Sequence, residues 1–279
     1  MDLSGVGLKI RRAERHAAEV EAAMKTALHP DHYAIVPEYD AKTGDHVYSV
    51  QELPPVDPEW AVVIGEVLFN LRSALDHLAW QLVLLDGGEP GEETQFPIYD
   101  SPFDKKGNLR GVNLRPPIKD PKILAALEKA QPYNGMDDSG RIDMHPLWRL
   151  RLMNNWDKHR LLLLTVQVLD VNRIYWGANE GDPHPTYRFS REPLKDGSPV
   201  AWFNFGGAER PPHFDPNLAL TVAIDEPLTP DGDRTRLTDV RPLLGGLCWG
   251  VAQFTVAAGF VHLFPASDRR VLFPDDLAY

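Results

Sequence analysis

Two short stretches of this chain carry the residue types that proton transfer and anion binding require. The first is a polar stripe, Glu66, Asn70, Ser73, His77 and Gln81, at offsets of 4, 7, 11 and 15 residues. On a helix those offsets align the side chains along one side. Arg72 and Asp76 lie beside the stripe, four residues apart, at the spacing of an intrahelical ion pair. The second is an island, Asn154-Asn155-Trp156-Asp157-Lys158-His159-Arg160, set between Leu147–Met153 and Leu161–Leu164. In it His159 suits general acid–base work, because an imidazole titrates near neutral pH. Lys158 and Arg160 suit an anion, and Asn155 and Asp157 add hydrogen-bonding groups. Both stretches also have a plain reading. An amphipathic helix needs a wet face, and a helix C-terminus favours cations.

The elements that must hold these residues follow from periodicity. Ile64, Val67, Leu68, Leu71, Leu75, Leu78, Leu82 and Leu85 share an arc about 100° wide at 100° per residue. A helix over 59–86 is predicted, closed by Gly87-Gly88. A first amphipathic helix carries Ile10, Ala13, Ala17, Val20, Met24 and Ala27 and stops at His29-Pro30. Tyr33–Val36 and His46–Val50 read as a hairpin around Gly44. Residues 87–119 are rich in Pro, Gly and Asp and read as a long loop, of the kind that is often functional or mobile. A short helix spans Lys122–Lys129, and another, 146–162, starts at Pro146. Strands are predicted near 173–176, 186–189, 201–205 and 218–224, before a last helix capped at Thr238 or Asp239.

The expected fold is α+β and a single domain over 1–279. Helices within 1–30, 59–86, 146–162 and 239–264 form a bundle. A β-hairpin lies near the N-terminus, and an antiparallel β-rich insertion, 163–236, precedes the last helix. The stripe and the island are expected to meet, so that Asn70, Arg72, His77, Asn155, Asp157, Lys158 and His159 line one mixed-charge pocket.

Arg72-Ser73-Ala74-Leu75-Asp76-His77 has an arginine, a polar residue after it, and a histidine five positions on. This resembles the signature of HEPN-type helical domains, many of which are metal-independent ribonucleases. The resemblance implies that His77 handles a proton of the 2′-hydroxyl or the leaving oxygen. It implies that Arg72 stabilises charge on the phosphate, that Ser73 is the adjoining polar residue, that RNA is the substrate, and that the site lies at a homodimer interface. The longer run Asn70–Trp80, with Asp157–Arg160, also resembles an uncharacterised bacterial helical protein family. That likeness implies helices and no particular activity.

Other chemistries leave fewer traces. No His-Glu-x-x-His or Cys-x-x-Cys spacing occurs, and no metal or cofactor is expected from the motifs. One layout stays open, in which His77 and His159 join Glu66 or His16 in a three-histidine site resembling those of DinB-like bundles. No Gly-x-Ser-x-Gly elbow and no phosphate loop is present. The single cysteine, Cys248, lies in an apolar run and reads as an inert core thiol. A non-catalytic ligand- or protein-binding role is the other alternative. Tyr175, Trp176, Tyr187, Phe189, Trp202, Phe203 and Phe205 would then line a groove, or else simply fill a half-buried sheet.

The chain has 279 residues, a net charge of −11 and one cysteine. The acidic balance disfavours a broad non-specific nucleic-acid surface without excluding a local basic pocket. Lone-cysteine usage and the absence of an apolar leader in Met1–Arg15 point to the cytoplasm. Leu243–Phe264 holds no Asp, Glu, Lys or Arg over 22 residues. It is read as a buried helix, with a membrane anchor as the other choice; no membrane partner is expected.

Overall fold

The computed structural model describes residues 2–135, 142–168, 184–207, 210, 214–216, 218–226, 236–257 and 259–264. The fold is α+β, with the β-hairpin near the N-terminus. The helices are α1 (Ser4–Ala27), α2 (Glu59–Leu85), α3 (Pro121–Lys129), α4 (Pro146–Asp157), α5 (Val240–Ala257) and α6 (Phe260–Leu263). The strands are β1 (Ala34–Asp40), β2 (Asp45–Gln51), β3 (Leu164–Val168), β4 (Thr186–Phe189), β5 (Pro199–Asn204), β6 (Leu220–Glu226) and β7 (Arg236–Asp239). The expected strand at 173–176, with Tyr175 and Trp176, lies outside the described residues.

The chain divides into two compact units: Met1–Ala18, Val62–Leu161 and Pro242–Tyr279 in one, Glu19–Ala61 and Leu162–Arg241 in the other. The N-terminal hairpin therefore shares a unit with the β-rich insertion. In that unit β1-β2-β5-β4 form one antiparallel sheet and β3-β6-β7 a second. Period two along β5 turns Ala201 and Phe203 into a core with Tyr48, Val50, Val166 and Leu220, and Val200 joins them at the register shift between β2 and β5. Phe203 meets Tyr48 at 5.4 Å and Phe214 at 5.1 Å between ring centroids, both edge-on. Phe205 is buried with them, whereas Tyr187 is exposed and Trp202 half-buried under the Arg188 guanidinium at 4.2 Å. Most of these aromatics fill the sheet core. Pro37 sits on β1, at the edge of its sheet, where no neighbouring strand needs its missing N–H.

The helical unit is organised by α2. Ile64, Val67, Leu68, Leu71, Leu75, Leu78 and Leu82 are all within 2 % of full burial, as the arc requires. Gly87, at φ +79°, ends the helix, and Gly88 N–H donates to the Val83 carbonyl at 2.9 Å. The expected helix over 146–162 is shorter. It ends at Asp157, and the His159 and Arg160 N–H groups both turn back to the Trp156 carbonyl at 3.0 and 2.9 Å. The last helix is also interrupted, at Gly259 with φ +89°. No described helix is long and apolar enough to cross a membrane.

The loop 87–119 is pinned at several points. Asp86 accepts the N–H groups of Lys119 and Asp120 at 2.9 and 2.8 Å, closing its ends. Asp120 in turn caps α3 through the Lys122 N–H at 2.7 Å. The fully buried Gln131 amide accepts from Tyr99 N–H and donates to the Pro97 carbonyl. Arg151 reaches Asp100 at 2.8 Å. The long loop expected over 87–119 is thus tied down at several points along its length.

Two packing features give measurable consequences. A Cβ on Gly250 of α5 would lie 2.5 Å from Cβ and 2.7 Å from Cγ of Pro146, whereas one on Gly246 meets open space. Helix propensity alone favours alanine at both by about 1 kcal/mol. At Gly250 the overlap with a rigid ring, worth about 1–3 kcal/mol, works against that gain. We expect Gly246→Ala to raise the thermal midpoint and Gly250→Ala to lower it, which paired calorimetry checks.

His145, 5 % exposed, caps α4 by accepting the Leu147 N–H on Nδ1 at 3.3 Å. Burial pushes its imidazole down to about 4. The unfolded chain therefore holds a proton on this ring between about pH 6.5 and 4 that the folded chain does not. Stability contributed by the neutral ring is present above this window and lost as pH falls through it, by up to about 3 kcal/mol. In urea titrations His145→Asn, which retains a capping oxygen, should flatten this slope. An unchanged slope would assign it to other groups.

Candidate functional site

The polar stripe on α2 separates into residues that hold the fold and residues that face outward. Arg72 belongs to the first kind. Its guanidinium grips Asp76 with Nε at 3.2 Å and one terminal nitrogen at 2.8 Å, and that nitrogen also donates to the Phe96 carbonyl at 2.8 Å. Asp76 returns the contact by accepting Phe96 N–H at 2.8 Å. The pair is a bidentate clamp on the 87–119 loop. Asn70 is buried as well, donating to the Glu66 carbonyl at 2.7 Å and standing 3.4 Å from Lys9 Nζ. Glu66 meets His16 Nε2 at 3.3 Å.

His77 is exposed, and its ring lies against α1, so that a Cβ on Gly5 would collide with it. Gln81 accepts the Asp2 N–H at 2.9 Å. These contacts run α1 antiparallel to α2, Asp2 beside Gln81, Gly5 beside His77 and His16 beside Glu66. Ser73 is half-buried on the outward side of α2.

The island at the end of α4 meets α2 elsewhere. Asp157 presses on Gly65, where an added Cβ would lie 2.5 and 2.6 Å from its carboxylate oxygens. Gly65 precedes His77 by twelve residues, about 18 Å along the helix axis at 1.5 Å per residue. Asp157 therefore meets α2 next to Glu66, at the start of the stripe, about twelve residues from His77, so the island and the His77 imidazole do not come together as expected. Asn155, Lys158, His159 and Arg160 are exposed, with the Arg160 guanidinium 5.7 Å from the Trp156 ring. The pocket expectation rested on both polar groups flanking apolar segments of one core; Leu75 and Leu150 of those segments are buried, but a shared core does not fix where along α2 each polar group lands. Among the described residues no three His, Cys, Asp or Glu side chains converge as metal ligands, so the three-histidine layout is not formed there. Cys248 is buried and its thiol is pushed up to about 12, which keeps it protonated.

Asp157 is the half-buried carboxylate of the island, and among the described residues it has no hydrogen bond or ion pair. Burial raises its carboxyl above the ordinary range. A raised folded value means the charged form is disfavoured on folding, so stability is lost as pH rises through it. Asp157→Asn should therefore raise the thermal midpoint at pH 7 and leave it nearly unchanged at pH 3, a comparison that calorimetry at the two pH values decides.

The most prominent feature of α2 is one that the polar residues conceal. Val62, Phe69, Trp80 and Leu84 are 44, 57, 43 and 40 % exposed. At 100° per residue they fall within an arc about 60° wide, shared with Glu66 and Ser73 and bordered by His77. This arc lies opposite the buried leucines. Antiparallel packing places the exposed Leu8 of α1, 56 % accessible, on the same outward side. Lys9 Nζ stands 5.4 Å over the Phe69 ring. The signal was present in the sequence, as large apolar residues on the arc that the leucine pattern leaves for water. No family model, no curated protein and no solved structure matches this chain.

Proposed function

We propose that this protein works by binding a protein surface through the outward face of α2. The observation that carries the reading is the line of Val62, Phe69, Trp80 and Leu84, exposed on a helix whose opposite arc is fully buried. Four large apolar side chains aligned in this way mark an interaction surface, whereas scattered ones do not. Aromatic residues at the middle of such a patch contribute most to association. The test is site-specific photo-crosslinking in living cells. A photoreactive side chain at position 69 or 80 should yield a covalent protein adduct. The same group at Leu109, which is 77 % exposed on the 87–119 loop, should not. Absence of adducts at 69 and 80 would end the reading.

A second reading, metal-independent RNA cleavage, is favoured by one observation: the His77 imidazole is open to solvent at the border of this face. There His77 would transfer the proton, while Arg72, already holding Asp76 and Phe96, would position the helix instead of meeting phosphate. Labelled RNA incubated with pure protein, with and without chelator and beside His77→Ala, tests it. Cleavage that survives chelator and is lost in the variant supports it, and no cleavage removes it.

A further inference from the structure

We infer that the occupant of the α2 face is a second copy of this chain, docked antiparallel about a two-fold axis at Ser73. This rests on the reading of that face as a binding surface and names its partner. A two-fold contact must be self-complementary: each residue before the axis meets the one equally far beyond it. The outward stripe runs Val62, Glu66, Phe69, Ser73, His77, Trp80, Leu84, with steps of four, three, four, four, three and four. The steps read the same in both directions.

The chemistry is matched as well as the spacing. Val62 falls opposite Leu84 of the other copy, an aliphatic pair. Phe69 falls opposite His77, ring on ring. Glu66 falls opposite Trp80, whose indole N–H can donate to a carboxylate. Ser73 meets itself at the centre, and it is the smallest and most sheltered residue of the stripe. A small residue at a helix crossing lets the two backbones approach.

The neighbouring helix fits the same axis. Because His77 lies beside Gly5 and Glu66 beside His16, Ser73 stands level with Lys9, next to Leu8. The two-fold that centres α2 on Ser73 thus brings Leu8, 56 % exposed, close to its own counterpart. The face runs from Val62 to Leu84 of α2, 22 residue steps or about 33 Å, and two helices are about 20 Å wide, giving a footprint of roughly 650 Å². That is of the order of the ~800 Å² each partner contributes to a standard interface.

The test uses the full chain. Sedimentation equilibrium should show a dimer, and Phe69→Asp and Trp80→Asp should each raise its dissociation constant at least about a hundred-fold. Circular dichroism of both variants should be unchanged, since neither side chain is in the core. Register is read by cysteine placement in a Cys248→Ala background. With a short bis-maleimide, Ser73→Cys should crosslink to itself. Val62→Cys and Leu84→Cys should each fail alone and crosslink when mixed. A monomer at every accessible concentration overturns the inference. So does a dimer indifferent to Phe69→Asp, or a Val62→Cys chain that crosslinks to itself, which would mean parallel helices. If the chain is monomeric while photo-crosslinking at 69 or 80 traps another protein, the binding-face reading stands and this inference falls. If nothing is trapped, both fall.

Discussion

Replacing Arg72 with alanine is expected to destabilise the fold by about 2–3 kcal/mol, lowering the thermal midpoint by roughly 3–5 °C for a chain of this size. The side chain is 16 % exposed and serves two partners at once, the Asp76 carboxylate and the Phe96 carbonyl. Its removal leaves a partly buried carboxylate with only the Phe96 N–H to balance it. Lysine should not restore the loss, because a point charge cannot fork between a carboxylate and a carbonyl. Amide exchange at Phe96 should accelerate in parallel. An arginine placed for phosphate contact on an open surface would behave in the opposite way, with stability kept and only activity changed. Calorimetry on Arg72→Ala and Arg72→Lys therefore separates the clamp from the phosphate-contact role.

The second large effect lies on the buried arc of the same helix. Leu75 is 1 % exposed, and Leu75→Ala should cost about 2–5 kcal/mol through lost burial and a residual cavity. Trp80 is five residues away and larger, yet it is 43 % exposed. Trp80→Ala should change monomer stability by no more than about 0.5 kcal/mol. Urea titration of both variants, at a concentration low enough to dissociate any complex, measures the contrast. Equal losses would mean that Trp80 is part of the core and the outward face is not free.

What the sequence disclosed depended on how local the cause was. The leucine arc of α2 is a repeating pattern within one element and was readable, seven of its eight predicted residues being buried and Leu85 half-buried. So were α3, expected over Lys122–Lys129, and the hairpin β1–β2. The pairing of β2 with β5 joins residues about 150 positions apart, and no local pattern specifies it. The end of α4 was misplaced because Leu161–Leu164 continues the apolar run, whereas backbone turns to the Trp156 carbonyl close the helix earlier. That shift matters to the site, since it leaves His159 and Arg160 exposed beyond the helix and the island at Gly65. Arg72 was recognised as a partner of Asp76. Its third contact, the Phe96 carbonyl 24 residues on, depends on a loop path that composition does not encode. Phe69 and Trp80 were legible by phase, but a search for ionisable groups passes over apolar residues on a wet arc.

The claim on which the functional account turns is that α2 presents a surface occupied in the cell. Oxidative footprinting compares that surface directly in intact cells and in dilute purified protein. The account predicts that Phe69 and Trp80 are strongly protected in cells and freely oxidised when diluted, with Leu109 equally reactive in both. Equal oxidation of Phe69 and Trp80 under the two conditions would contradict it.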